Sequence, residues 1–289
     1  MSCCPPKSAP AATFDTSDLV GEMIRKDGLD MYFSKDKIGT GKGIIVAYDV
    51  VSRLLLMSHV VIIIQLLNHI SFSQLGMDGG RQRHICDELA SHGYSVIMPD
   101  FFDGDNCVKA INAAPAMLEN SEQPDFANSG ALFKWIANFD PTVVEQRIQD
   151  IAIPFLKEQG CDSFAMVGFC WGAWVALRAT SMPNLTFNAS LSCHPAFGVE
   201  GLWGGDVLDL VKKVNTPQLV LSSGPDDANT KPGAEIQKIL TSNGLDWQGH
   251  EYKDMVHGWM DREKPSDAAV DAAQKDSMNR MLQFLKKHM

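Results

Sequence analysis

Basic residues are in deficit in this chain of 289 residues: 25 Lys and Arg stand against 35 Asp and Glu, a net charge of −10. That balance argues against nucleic acid and anionic membrane surfaces as partners, since both attract basic patches. It places no limit on a small-molecule ligand. Cysteine is sparse, and seven residues without regular spacing suit a reducing compartment better than a disulfide framework. The stretch from Met1 to Ala12 is rich in Pro and Ala and lacks the apolar core of a secretory signal, so a cytoplasmic protein is expected. Metal-ligand patterns are missing as well. His84, His92 and His250 do not cluster with acids or cysteines, and adjacent Cys3 and Cys4 are poorly spaced as ligands, so neither metal nor cofactor is expected. A membrane span needs about 20 predominantly apolar residues. The apolar block from Val60 to Leu67 is shorter and is broken by Gln65.

What is present is an ordinary globular composition, 45% hydrophobic and 21% charged, in a chain long enough to bury one sizeable core. Residues 1–18 lack periodicity and read as a flexible tail, leaving 19–289 as a single domain. Short apolar runs bounded by Gly, Pro and Asp predict strands over 29–34, 44–48, 94–98, 165–167, 189–193, 218–221 and 247–252. Helical patterns fall between them at 81–92, 142–156, 173–180, 208–214, 234–240 and 267–288. Pro154 should kink or end its helix, and 110–129 reads as loop or short helix. Strands alternating with helices imply a parallel sheet covered on both faces, an α/β fold.

One junction carries chemistry. The apolar run Ala165-Met-Val167 passes through Gly168-Phe-Cys170-Trp-Gly172 into a helix of small residues. Strand, Gly-x-Cys-x-Gly, helix is the layout of a nucleophile elbow, in which the glycines permit a sharp turn that projects the central side chain. The N–H of Trp171 would then point, with the helix N-terminus, at a developing oxyanion. A cysteine at a strand end can also be mere packing. The order of the downstream residues decides: Gly224-Pro-Asp226-Asp227 comes after the run 218–221, and His257 comes later still. Nucleophile, acid, histidine is the α/β-hydrolase order. His257 would accept the thiol proton, and one of Asp226 and Asp227 would orient it. His194, after the run 189–193, reads chiefly as a structural histidine near the pocket, while Trp171 and Trp259 flank the proposed catalytic residues and could wall it.

These motifs, with Gly41-Lys-Gly-Ile-Ile-Val-Ala-Tyr-Asp49 and Gly93-Tyr-Ser-Val-Ile-Met-Pro-Asp-Phe-Phe102, resemble the dienelactone hydrolase family over roughly residues 20–288. The resemblance implies an α/β-hydrolase fold and hydrolysis of small cyclic or linear carboxylic esters by a Cys-Asp-His triad through a thioacyl-enzyme. It implies Cys170, Asp227 and His257 as that triad, Asp227 matching the Gly-x-x-Asp position of the family's acid loop. It also implies the backbone N–H of Val50 as second oxyanion donor. Asp49 stands where bacterial members carry a Glu that contacts the resting thiol. No counterpart is evident for the Arg that binds the substrate carboxylate after the second central strand, which favours a neutral ester or lactone. The alternative is a catalytically silent binding protein of the same fold.

Residues 51–74 interrupt the pattern. Removing them joins Ala47-Tyr-Asp-Val50 to Leu75-Gly-Met-Asp-Gly-Gly80, the continuous strand, acid and Gly-rich loop of the family. The segment begins Val-Ser, encodable as a splice-donor-like GTNAGY, and ends in residues encodable as a pyrimidine tract closing in CAG. A translated intron is the expectation, with a lid or a membrane-associating insert as alternatives.

Overall fold

A computed structural model describes residues 14–50, 80–104 and 130–289. Much of the expected tail, the interruption at 51–74 and the segment 110–129 lie outside the described residues. A single eight-stranded sheet organises the rest. Its strands are β1 (Glu22–Lys26), β2 (Leu29–Ser34), β3 (Lys42–Ala47), β4 (Ser95–Pro99), β5 (Ser163–Phe169), β6 (Ala189–Cys193), β7 (Gln218–Ser223) and β8 (Trp247–Tyr252), in the spatial order β1-β2-β4-β3-β5-β6-β7-β8. β2 runs antiparallel to β1 and β4, and the remaining pairs are parallel. The strands from β3 to β7 are almost wholly buried because helices cover both faces, and their near-continuous apolar runs reflect that.

β1 was not among the expected strands. It is short and polar, and it pairs Lys26 with Leu29 through a two-residue turn at Asp27 and Gly28, both at positive φ (49° and 85°). That is the hairpin geometry an Asp-Gly pair favours.

The helices are α1 (Gln82–Ser91), α2 (Gly130–Ile136), α3 (Pro141–Arg147), α4 (Ile153–Glu158), α5 (Trp171–Ala179), α6 (Val207–Val211), α7 (Glu235–Ser242) and α8 (Ala268–His288). Pro154, expected to kink or end its helix, does not end it but follows an interruption of the regular helical bonding. α3 and α4 are continuous through a π-helical turn at Ile148–Ala152. Proline cannot donate to the carbonyl four residues back, and a locally widened turn accommodates the lost bond without breaking the rod. α8 is fixed at both ends: Asp267 accepts from the N–H groups of Ala269 and Val270, and Lys286, Lys287 and His288 sit where the helix dipole is negative.

Candidate active site

β5 lies near the middle of the sheet, between β3 and β6, and delivers Cys170 to the carboxyl edge. Cys170 has φ 52° and ψ −114°, a strained conformation for a non-glycine residue that costs about 1–3 kcal/mol. The flanking glycines are required by contact as well as by turn geometry. A Cβ on Gly168 would strike the Gly172 carbonyl, and one on Gly172 would strike the carbonyl of Ala47 on β3. The elbow is also clasped from β6: the Cys170 N–H donates to the Cys193 carbonyl at 3.2 Å, and the Ala196 N–H donates to the Cys170 carbonyl at 3.1 Å. Trp171 opens α5, so its N–H is among those free of intrahelical partners.

The carboxyl ends of β7 and β8 supply the other polar groups. His257 Nδ1 lies 2.6 Å from Asp226 Oδ1, with both side chains fully buried. The second oxygen of Asp226 accepts from the Ser223 N–H at 2.6 Å. Since the carboxylate only accepts, His257 carries its proton on Nδ1 and turns Nε2 the other way. Burial alone pushes the Asp226 carboxyl up, but His257, its hydrogen bond and the Ser223 amide together hold it below the ordinary carboxylate value.

Asp227, the acid expected from the sequence, is not the residue brought to His257. It is exposed, and its carboxylate accepts from the Asn229 N–H at 2.7 Å, capping the short 3-10 turn Ala228–Thr230. The turn after β7 folds Asp226 back under Ser223, and this leaves its neighbour pointing outward.

Asp49 follows β3, as expected, but its carboxylate is engaged. Arg262 Nε and Nη2 reach its two oxygens at 2.7 and 2.8 Å, and both side chains are fully buried. Arg262 was not among the expected site residues, and its place five residues beyond His257 is the signal that could have found it. Val50 is buried beside this pair at the end of the described segment. Trp259 does not line an open wall: its ring is buried against His194 (5.2 Å) and Tyr252 (5.0 Å).

An aromatic cluster stands on the opposite side of the elbow. The Phe102 ring lies 4.6 Å from Trp135, Phe139 and Trp171. Asp100 holds this loop by accepting from the Tyr48 hydroxyl (2.7 Å) and from the N–H groups of Phe102 and Gly104 (3.0 and 2.6 Å). Asp103 pairs with Arg147. Of the acidic run after β4, Asp100 is thus occupied with its own loop and Asp103 with Arg147 of α3.

Among the described residues, Asp49, His194 and Asp261 bring ligand-type atoms within 4.8 Å of one another. Arg262 already takes both oxygens of Asp49, and the Gln82 amide donates to Asp261, so a guanidinium sits where a cation would have to compete. No metal is proposed on this group. No described helix is long and apolar enough to cross a membrane.

Strand order and an elbow at the end of β5 place the protein among the α/β-hydrolases. Two solved structures share the fold: a candidate dienelactone hydrolase from Klebsiella pneumoniae (TM-score 0.57, 17% identity, 91% of this chain and 96% of that one) and an acylaminoacyl peptidase from Pyrococcus horikoshii (TM-score 0.58, 14% identity, 96% and 42%). The chain belongs to the dienelactone hydrolase family, which it matches over residues 58–289. It is an esterase-type hydrolase by that membership. Among relatives, a carboxymethylenebutenolidase homolog of Homo sapiens is 21% identical over 277 residues, spanning 93% of this chain and 92% of its own. An uncharacterised AIM2 family protein of Schizosaccharomyces pombe is 27% identical over 270 residues, 90% and 88% of the two chains.

Proposed function

We propose that the chain hydrolyses small, uncharged lactones or linear carboxylic esters through a thioacyl intermediate on Cys170, with His257 as base and Asp226 as its orienting acid. The observation that supports this most is the buried Asp226–His257 hydrogen bond at the same sheet edge as the strained Cys170 elbow. The Cys170 thiolate attacks the ester carbonyl, and the oxygen takes the charge under the N–H groups of Trp171 and Val50. Collapse of that adduct expels the alkoxide, which takes the proton held by His257, and leaves a thioester. His257 then removes a proton from water, whose oxygen attacks the thioester; the acid departs and the thiol is restored.

Two features favour an uncharged substrate. The buried guanidinium of Arg262 is matched by Asp49, and the Phe101 and Phe102 rings packed against Trp171 beside the elbow are apolar. The sparse, irregularly spaced cysteines suit a reducing compartment such as the cytoplasm. Turnover of a small activated ester by wild type and Cys170→Ala tests the reading. Loss of a covalent nucleophile should lower kcat/KM by orders of magnitude, so a variant retaining more than about a tenth would sink it. Wild-type Cys170 alkylated by iodoacetamide no faster than free cysteine would point instead to a silent binding protein.

A further inference from the structure

His194 has no part in the chemistry above, yet it is fully buried and held in a left-handed conformation beside the elbow. It stands at φ 37°, left-handed and non-glycine, between the two backbone bonds by which Cys193 and Ala196 clasp Cys170. Its ring is fully buried and meets His257 edge to face, centroids 5.0 Å apart at 69°. Phe169 and Trp259 close in at 6.0 and 5.2 Å. Nε2 lies 3.0 Å from Asp261 Oδ1, within ion-pair reach though not aligned for a hydrogen bond.

Asp261 belongs to the same loop as His257. That loop is tied to three strand ends: His257 to Asp226 after β7, Asp261 to His194 after β6, and Arg262 to Asp49 after β3. Of these three, the middle tie joins the loop of the base to the segment that clasps the nucleophile, beside the ring contacts of His257 and Trp259 with His194. We infer that the His194–Asp261 pair is a positioning device, holding the His257 imidazole at its working distance and angle from Cys170. This rests on the triad reading above. Without it, the His257 loop would keep its outer ties yet pivot between them, and a displacement of about 1 Å in a reacting group can cost 10²-fold in rate. A misplaced imidazole would also leave less thiolate on Cys170.

The experiment compares wild type with His194→Ala, His194→Gln and Asp261→Asn, measuring kcat and KM on a small activated ester. It also measures the iodoacetamide alkylation rate of the Cys170 peptide near neutral pH by mass spectrometry. His194→Ala should lose about 10²-fold in kcat with KM within a few-fold of wild type, and Cys170 should alkylate more slowly. His194→Gln, whose amide can reach the place of Nε2, should recover part of both, and Asp261→Asn should shift both readouts in the direction of His194→Ala. A folded His194→Ala with wild-type kcat and alkylation overturns the inference and leaves the triad standing. If that variant does not fold, folded His194→Gln and Asp261→Asn with wild-type kinetics overturn it equally. A loss that vanishes on cooling, with kcat restored below the melting transition, marks a merely structural residue and also overturns it. Wild type without ester turnover and without fast alkylation would instead sink the triad reading, and this inference with it.

Discussion

Replacing Asp226 by Asn should damage the enzyme far more than the same change at Asp227, and the reason lies in acceptor count. Both oxygens of Asp226 accept, one from His257 Nδ1–H and one from the Ser223 N–H, each at 2.6 Å. Asn offers a single oxygen. If that oxygen stays on the fixed Ser223 N–H, the new NH2 faces Nδ1 and donates to it, forcing the proton of His257 onto Nε2. An imidazole in that tautomer cannot accept a proton from thiol or water. The same substitution in a serine triad lowers kcat by about 10⁴. A thiol is more easily ionised than a hydroxyl, so about 10²–10⁴ is expected in kcat/KM. At Asp227 the side chain only caps the turn Ala228–Thr230 through Asn229, and Asn caps as well as Asp. Its effect should stay within about twofold. The assay is steady-state hydrolysis of an activated ester by both variants, with thermal midpoints to show that each is folded. An Asp227→Asn variant weaker than Asp226→Asn would refute the assignment and restore the acid expected from the sequence.

Other outcomes rest on the same geometry. Arg262→Leu strands the buried Asp49 carboxylate and should destabilise the fold by about 3–5 kcal/mol in urea titration; a loss below about 1 kcal/mol, typical of a surface pair, would contradict the burial described. Asp226 is held below its unfolded value of 3.8, so its charge stabilises the fold above that value and the contribution is lost as pH falls through the lowered folded one. Wild type should therefore lose more thermal midpoint than Asp226→Asn between about pH 5 and about pH 3, and equal slopes would contradict it. Deleting Val51 to Gln74 should raise soluble yield, thermal midpoint and ester turnover. The flanks Asp49 and Arg81 are held by the consecutive residues Arg262 and Asp261, so Val50 and the six residues from Leu75 to Gly80 would have little distance to cover. A full-length protein as stable and more active would make that segment functional.

The strands from β2 to β8, the elbow and the order of Cys170, acid and His257 were legible because each is local: an apolar run of strand length, glycines at fixed offsets, a histidine after the last strand; β1, short and polar, carried no such run. The choice between Asp226 and Asp227 was not, since adjacent carboxylates differ only in which one the turn after β7 folds inward. Arg262 and Asp49 meet across 213 residues, so although Arg262 follows His257 closely, its neighbourhood does not name Asp49 as its partner. His194 looked structural because its neighbours in space, His257 and Asp261, are distant in sequence. Pro154 announced a disturbance of its helix but not its form: proline excludes the ordinary helical bond, and a π-turn carries the helix on.

The central claim, covalent catalysis by Cys170, is tested most directly by rapid acid quench during turnover of an activated ester, coupled to peptide mass spectrometry. The account predicts one acyl group as a thioester on the Cys170 peptide, absent in Cys170→Ala and lost on the timescale of turnover. Sustained hydrolysis with no adduct on Cys170, or with the adduct on another residue, would contradict it.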